Sequence, residues 1–109
     1  MMRLDTLLQD NPAYEDALAE KVLEHYLRVR HPQVARLNSM GMDMGDIEQE
    51  LRIALWKAWS AWTGQIVLRR WLSWKMDYCL RDLERACAKQ LRRFQVVSLE
   101  ALLPPENTD

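Results

Sequence analysis

Between Val67 and Arg93 the chain combines cationic and aromatic side chains at spacings that would bring them together on one helix. The stretch contains neither Gly nor Pro, and as a single helix it would be about 40 Å long. At roughly 100° per residue, seven of its side chains fall within an arc of roughly 100° that contains no Asp or Glu. They are Arg70, Trp74, Tyr78, Arg81, Arg85, Lys89 and Arg92. Cations neutralise phosphates and rings stack on unpaired bases, so this face is suited to bind single-stranded nucleic acid.

The opposite side of the same predicted helix carries an ordinary core stripe, formed by Leu68, Leu72, Met76, Cys79, Leu83 and Cys87. An alternative interpretation of the cationic side is a solvated face whose aromatic rings pack on a neighbouring helix, because charged runs on helices are common. The charge distribution favours nucleic acid. Residues 67–93 hold eight Lys or Arg against three acids, whereas the whole chain has a net charge of −1. The positive charge is therefore segregated into one segment, as a nucleic-acid interface requires.

The composition indicates one small helical domain. The chain has 109 residues, of which 49% are hydrophobic and 28% charged, with three Gly and four Pro. Many Ala, Leu, Glu, Arg and Met and few β-branched residues favour an all-α fold, which we predict as a small bundle of three to five helices. The chain has no apolar run long enough to span a membrane, and its N-terminus has acids where a signal peptide is apolar. We therefore expect a cytoplasmic protein with no membrane contact.

The residue types that usually carry catalysis or bind metals are few in this chain. Cys79 and Cys87 would lie about 12 Å apart along one helix, too far to form a disulfide with each other. These cysteines and the two histidines, His25 and His31, lack the spacing of a zinc site. A Gly-rich phosphate loop and a nucleophile motif are also missing from the sequence, so we expect no catalytic residue, metal or cofactor.

The first half of the chain is expected to form two shorter helices after a leader, residues 1–11. Asn11 and Pro12 would begin a helix that runs to about Arg30, with Leu18, Val22, Tyr26 and Val29 facing inward. Pro32 is expected to break this helix, and a second one would end at Gly41 in a left-handed conformation. We place the domain at 12–95 and a tail at 96–109, because the pattern changes after Arg93 to a short β-branched run.

The segment from Asp43 to about Trp62 is predicted to form a helix that Asp43 caps. Its core stripe would be Ile47, Leu51, Ala54, Leu55, Ala58 and Trp62, and its outward side Asp46, Gln49, Ile53, Trp56 and Ser60. A Trp and an Ile on the outward side of a short helix indicate a surface for a protein partner. The alternative is a central helix that other helices cover on both sides.

These two segments, in this order, resemble conserved region 2 of bacterial RNA polymerase sigma factors. Asp46-Ile47-Glu48-Gln49-Glu50, followed by Ala54-Leu55-Trp56-Lys57-Ala58, is similar to the family's D-hydrophobic-x-Q-E and A-L-W-K-A helix. Trp71-Leu72, Asp82-Leu83 and the basic run to Arg93 resemble the family's long helix, which ends in VVSL(D/E). Here that ending is Val96-Val97-Ser98-Leu99-Glu100. The resemblance covers about residues 20–100.

The resemblance implies a transcription factor that docks on the clamp helices of the polymerase β′ subunit. It also implies binding and opening of the promoter minus-ten element, with the single-stranded non-template strand as the DNA partner. The β′-binding residues would be Asp46, Gln49, Glu50, Arg52 and Trp56, to which the helical periodicity adds Ile53. The DNA-binding residues would be Arg70, Trp71, Trp74, Lys75, Tyr78, Arg81, Arg85, Lys89, Arg92 and Arg93.

The chain departs from the family in three respects. Trp62-Thr63-Gly64 stands where F-D-P-x-x-G is usual, Asp77 and Glu84 dilute the basic helix, and no helix-turn-helix domain follows region 2. We therefore expect a second protein to supply that domain, and a phage or mobile-element regulator of a host polymerase would also fit. Two alternatives stay open: a polymerase- or sigma-binding regulator without DNA binding, and a helical protein that homodimerises through Ile53 and Trp56.

Overall fold

The computed structural model describes the backbone of residues 3–102 and the side chains of residues 3–93. Within that part of the chain there are five helices and no strand. In order they are α1 (Leu4–Leu7), α2 (Asp16–Val29), α3 (His31–Ser39), α4 (Met44–Ala61) and α5 (Leu68–Leu102). The predicted all-α fold, a small helical bundle, is confirmed.

Local signals set several helix ends as predicted. Asp43 caps α4, and its carboxylate accepts a hydrogen bond from the backbone N–H of Gly45 at 3.1 Å. Gly41 has a φ of 103°, the left-handed conformation that closes α3. The break near Pro32 is also present, because α2 ends at Val29 and α3 starts at His31 with the proline in its first turn.

The start of α2 differs from the prediction. α2 begins at Asp16 rather than at Pro12, because Asp10 and Asn11 adopt positive φ values of 64° and 49° and turn the chain away. Asn11 acts instead at the start of α5, where its side-chain oxygen accepts the backbone N–H of Leu68 at 3.4 Å. Asn11 thus contacts a helix N-terminus, as its residue type indicates, but that helix is α5 and not the predicted α2.

The core lies where α2, α3, α4 and α5 meet. Its fully buried large side chains are Val22, Leu37, Ile47, Leu51, Leu55, Leu68, Leu72 and Met76. One inward prediction is wrong, because Val29 is 54% exposed where α2 ends. Trp62 packs against the core as predicted but is only partly buried, and Trp59 is the buried tryptophan of α4. The indole N–H of Trp59 donates to the carbonyl of Pro12 at 3.0 Å.

The predicted leader and the predicted tail both contain helical residues. Leu8 is buried in the core, so the leader packs as part of the helical body. α5 continues past Arg93 to Leu102 and is about 52 Å long. Residues 103–109 of the predicted tail lie outside the described residues. In the described part of the chain, no helix has the length and apolarity needed to cross a membrane.

Candidate nucleic-acid and protein interfaces

Three aromatic rings, which we call the aromatic ladder, follow one another along the first half of α5: Trp71, Trp74 and Tyr78. The ring centroids of Trp71 and Trp74 are 5.6 Å apart, and those of Trp74 and Tyr78 are 5.5 Å apart. Spacings of three and four residues bring these rings onto successive turns of the helix. Trp74 is 43% and Tyr78 44% exposed, so two rings of the ladder are partly open to solvent.

Cations are interleaved with the aromatic ladder. The Nζ atom of Lys75 lies 4.6 Å from the ring centroid of Trp71 and 5.1 Å from that of Trp74. The guanidinium of Arg81 lies 5.6 Å from the ring of Tyr78. At these distances the ring quadrupole attracts the cation, which keeps each charge beside an exposed ring. A ligand that stacks on the ladder would therefore meet positive charge at the same place.

The other predicted DNA-binding cations lie along the rest of the described α5. Arg70, Arg85, Lys89, Arg92 and Arg93 are all exposed. None of them forms an ion pair with another side chain among residues 3–93. Their neighbour Arg69 differs, because it pairs with Asp5 at 2.6 Å. All five are thus available to an anionic ligand, and the helical period groups all of them except Arg93 with Trp74 and Tyr78.

The acids of α5 that seemed to dilute its basic face point towards other helices. Asp77 accepts hydrogen bonds from both Arg30, at 3.0 and 3.1 Å, and the hydroxyl of Tyr26, at 2.6 Å. Glu84 pairs with Arg36 of α3 at 3.1 Å. These contacts neutralise both acids inside the domain, so the expected dilution of the basic face is corrected. The hydrogen bonding of Arg30 to Asp77 raises the pKa of Arg30, and burial raises the pKa of the Tyr26 hydroxyl, with Asp77 adding to that rise.

A groove of about 520 Å³ separates the aromatic ladder from α4. Trp71 and Tyr78 line it on the α5 side, and Ile53 and Lys57 on the α4 side. Trp71 is half-buried there, and its indole N–H donates to the carbonyl of Ala58 at 2.7 Å, which fixes the ring. Lys57 was not assigned to either surface from the sequence, because its position beside the ladder depends on how α4 packs against α5.

The thiol of Cys79 also lines this groove. Its sulfur donates weakly to the carbonyl of Glu50 at 3.7 Å. Burial raises the pKa of Cys79 to about 11, so the thiol stays protonated and behaves as a small core side chain. The other cysteine, Cys87, is half-buried and free.

Four side chains form an outward strip on α4, which we call the α4 strip: Asp46, Gln49, Ile53 and Trp56. Trp56 is 52% and Ile53 37% exposed, and Asp46 and Gln49 are exposed beside them. Within the described residues, α4 is therefore not covered on both sides, which removes that alternative for this chain. An exposed tryptophan beside an exposed isoleucine is the kind of anchor that protein interfaces use.

Two further residues predicted to bind polymerase lie at the edges of the α4 strip. Arg52 is bound to α2 through Glu20, at 2.5 and 3.2 Å, and also donates to the side-chain oxygen of Gln49 at 2.9 Å. The hydrogen bonding between Arg52 and Glu20 lowers the pKa of Glu20 and raises the pKa of Arg52. Glu50 lies on the other edge and lines the groove towards α5. Arg52 is thus engaged in holding α4 on α2.

The fold and the two surfaces define a small all-helical domain with a cationic, aromatic face on one helix and a separate apolar strip on another. No protein family, curated protein or solved structure matches this chain.

Proposed function

We propose that this protein is a sigma-like transcription factor that acts in the cytoplasm. In this proposal the α4 strip docks on the clamp helices of the polymerase β′ subunit. The cationic face of α5 binds the unpaired non-template strand of the promoter minus-ten element. The observation that carries the proposal is the segregation of charge on α5. The aromatic ladder and its cations lie on one side, whereas Arg30 and Arg36 neutralise Asp77 and Glu84 on another.

The aromatic ladder suits opened DNA better than duplex DNA. Opening a promoter exposes unpaired bases, and each base that stacks on an aromatic side chain gains about 1–3 kcal/mol. Cations such as Arg81 and Arg85 hold the phosphate backbone without reading its sequence. The groove between Trp71, Tyr78 and Lys57 offers an additional place for one unpaired base beside the ladder.

The α4 strip suits a protein partner. Trp56 and Ile53 supply the apolar anchor, and Asp46 and Gln49 supply a polar rim, the usual organisation of a protein interface. The polymerase would provide the chemistry of transcription, so the proposal assigns no catalytic residue, metal or cofactor to this chain.

The polymerase contact is tested by titrating a fragment that contains the β′ clamp helices into this protein. Trp56→Ala should weaken binding by about tenfold or more, because a central tryptophan anchor is lost. Val29→Ala is the matched control, since Val29 is 54% exposed and Trp56 52%, and Val29 lies at the end of α2. Equal affinities for the two variants would refute the proposed contact.

The DNA contact is tested by fluorescence anisotropy with a labelled single-stranded minus-ten oligonucleotide. Trp74→Ala combined with Tyr78→Ala should weaken binding by roughly tenfold to a hundredfold, because two stacking rings are lost. Tyr14→Ala is the control, since Tyr14 is a 38% exposed aromatic residue that lies before α2. If the double variant binds DNA normally while Trp56→Ala loses the clamp, the protein is a polymerase-binding regulator without DNA binding.

A further inference from the structure

A second groove, of about 490 Å³, lies between the α3–α4 turn and the second half of α5. Met40 and Met42 line it from the turn, and Leu83, Cys87 and Leu91 line it from α5. Steps of four residues place the three α5 side chains in one stripe along the helix. By helical geometry this stripe lies on the side of α5 opposite the aromatic ladder. We call it the distal groove.

The distal groove extends the apolar core along α5, past the point where other helices bury that side of α5. On the same side of α5, Leu68, Leu72 and Met76 have no exposed surface at all. Farther along, Leu83 and Cys87 are half-buried and Leu91 is 39% exposed. The apolar side of α5 is thus covered at its start and progressively uncovered along its length. A helix laid in the groove would cover it as α4 covers the first half.

The chemistry of the rim indicates what kind of helix would fit. Asp43 and Asp46 are exposed on the α4 side of the distal groove, and Gln90 on the α5 side is neutral. Asp46 forms no ion pair with another side chain of residues 3–93. The two methionines of the floor have flexible, polarizable side chains that adapt to an incoming apolar surface. An apolar stripe flanked by Lys or Arg would therefore complement both the floor and the rim.

We propose that the distal groove binds an amphipathic, cationic helix of a second polypeptide. Its apolar side chains pack on Leu83, Cys87 and Leu91, and its cations reach Asp43 and Asp46. The inference rests on the proposed function and deepens it, because it adds a second protein partner of the sigma-like factor and the surface that would bind it. The distal groove and the aromatic ladder lie on opposite sides of α5. The second protein and the single-stranded DNA would therefore bind at the same time.

The occupant is identified by photo-crosslinking. A benzophenone amino acid replaces Gln90 in the full chain, the protein is irradiated in its native cytosol, and mass spectrometry locates the crosslinked segment. The proposal expects an amphipathic segment rich in Lys or Arg in a second protein. A crosslink within this chain, to a second copy, to nucleic acid, to the polymerase or to an acidic segment would overturn it, and so would the absence of any product.

The contact is then measured with the identified segment, synthesised as a labelled peptide. Leu91→Glu should weaken peptide binding by about tenfold or more, because it places a charge in the apolar stripe. Asp46→Lys should weaken it too, and a Lys→Glu exchange in the peptide should restore it. Val29→Glu is the control, as an equally drastic change at an exposed apolar residue. Unchanged affinity of Leu91→Glu would overturn the proposal.

The Leu91→Glu variant separates this inference from the proposed function, because Leu91 belongs neither to the α4 strip nor to the aromatic ladder. Leu91→Glu should bind the β′ clamp fragment and the single-stranded oligonucleotide as the original protein does. If the far-UV circular dichroism of Leu91→Glu changes, Leu91→Ser takes its place, because it removes the apolar contact without adding charge. If the unchanged protein binds the peptide but neither the clamp fragment nor the oligonucleotide, the inference about the distal groove stands and the proposed function is refuted.

Discussion

The carboxylate of Asp77 on α5 accepts two hydrogen bonds from Arg30, one from Nε at 3.0 Å and one from Nη2 at 3.1 Å. The hydroxyl of Tyr26 donates to the same carboxylate at 2.6 Å. One acid of the long helix is thereby joined to the end of α2 by a charge-assisted fork and a phenolic hydrogen bond. This attachment fixes the rotation of α5 about its own axis, and so helps to direct the aromatic ladder towards solvent.

Asp77→Asn should lower the free energy of unfolding by about 1–3 kcal/mol, because Tyr26 and Arg30 lose their charged acceptor. Asp82→Asn is the matched control on the same helix. Asp82 is exposed and forms no ion pair within residues 3–93, so we expect a change within about 0.5 kcal/mol. Urea unfolding followed by tryptophan fluorescence measures both. Equal losses would show that the fork does not stabilise the fold.

Replacing Arg81 and Arg85 together with Ala should make the binding of single-stranded DNA less sensitive to salt. The slope of log affinity against log salt should fall by about 1.4, because each lost phosphate contact on a single strand contributes about 0.7. Lys21→Ala with Arg28→Ala removes the same charge from exposed positions on α2. A slope change of the same size in that control would mean that only net charge matters.

Leu8→Ala should destabilise the protein by about 2–4 kcal/mol, because Leu8 is 4% exposed and its removal leaves a cavity in the core. Gln9→Ala, the next residue and an exposed one, should change stability by less than about 0.5 kcal/mol. Thermal unfolding followed by circular dichroism compares them. If Leu8→Ala unfolds like the unchanged protein, the N-terminal segment does not belong to the core.

Stability should fall as the pH rises from 9 towards 11. The native Cys79 thiol has its pKa raised to about 11 by burial, against an ordinary value of 9.0, so the unfolded chain loses this proton first. The stabilisation is therefore complete below pH 9 and is lost as the pH approaches 11. The Cys79→Ser variant lacks this titrating thiol. Between pH 9 and 11 we expect its free energy of unfolding to fall by about 1–2 kcal/mol less than that of the unchanged protein. Urea unfolding at each pH measures both proteins. If the two free energies of unfolding fall in parallel, Cys79 is not the group responsible.

Much of the helical architecture could be predicted because it depends on residues within one helical turn of each other. Asp43 caps α4 through the N–H of Gly45, and Gly41 closes α3 because it tolerates a positive φ. The break at Pro32 has the same local origin. The placement of Trp74 and Tyr78 beside cations such as Arg81 follows from the period of the helix alone, which is why these two rings of the aromatic ladder could be assigned to one face in advance.

The tertiary structure decided everything that depends on a residue from another helix. The helical period put Trp56 outward but did not single out Trp59 as the buried tryptophan of α4. Trp59 is buried because the segment before α2 packs on it, through the carbonyl of Pro12 and the ring of Tyr14. Periodicity likewise could not show that Asp77 faces Arg30, since the two are brought together only when α5 packs against the end of α2. Sequence period therefore determined which side chains share a face, and packing between helices determined which faces remained for partners, because burial is a property of pairs of helices.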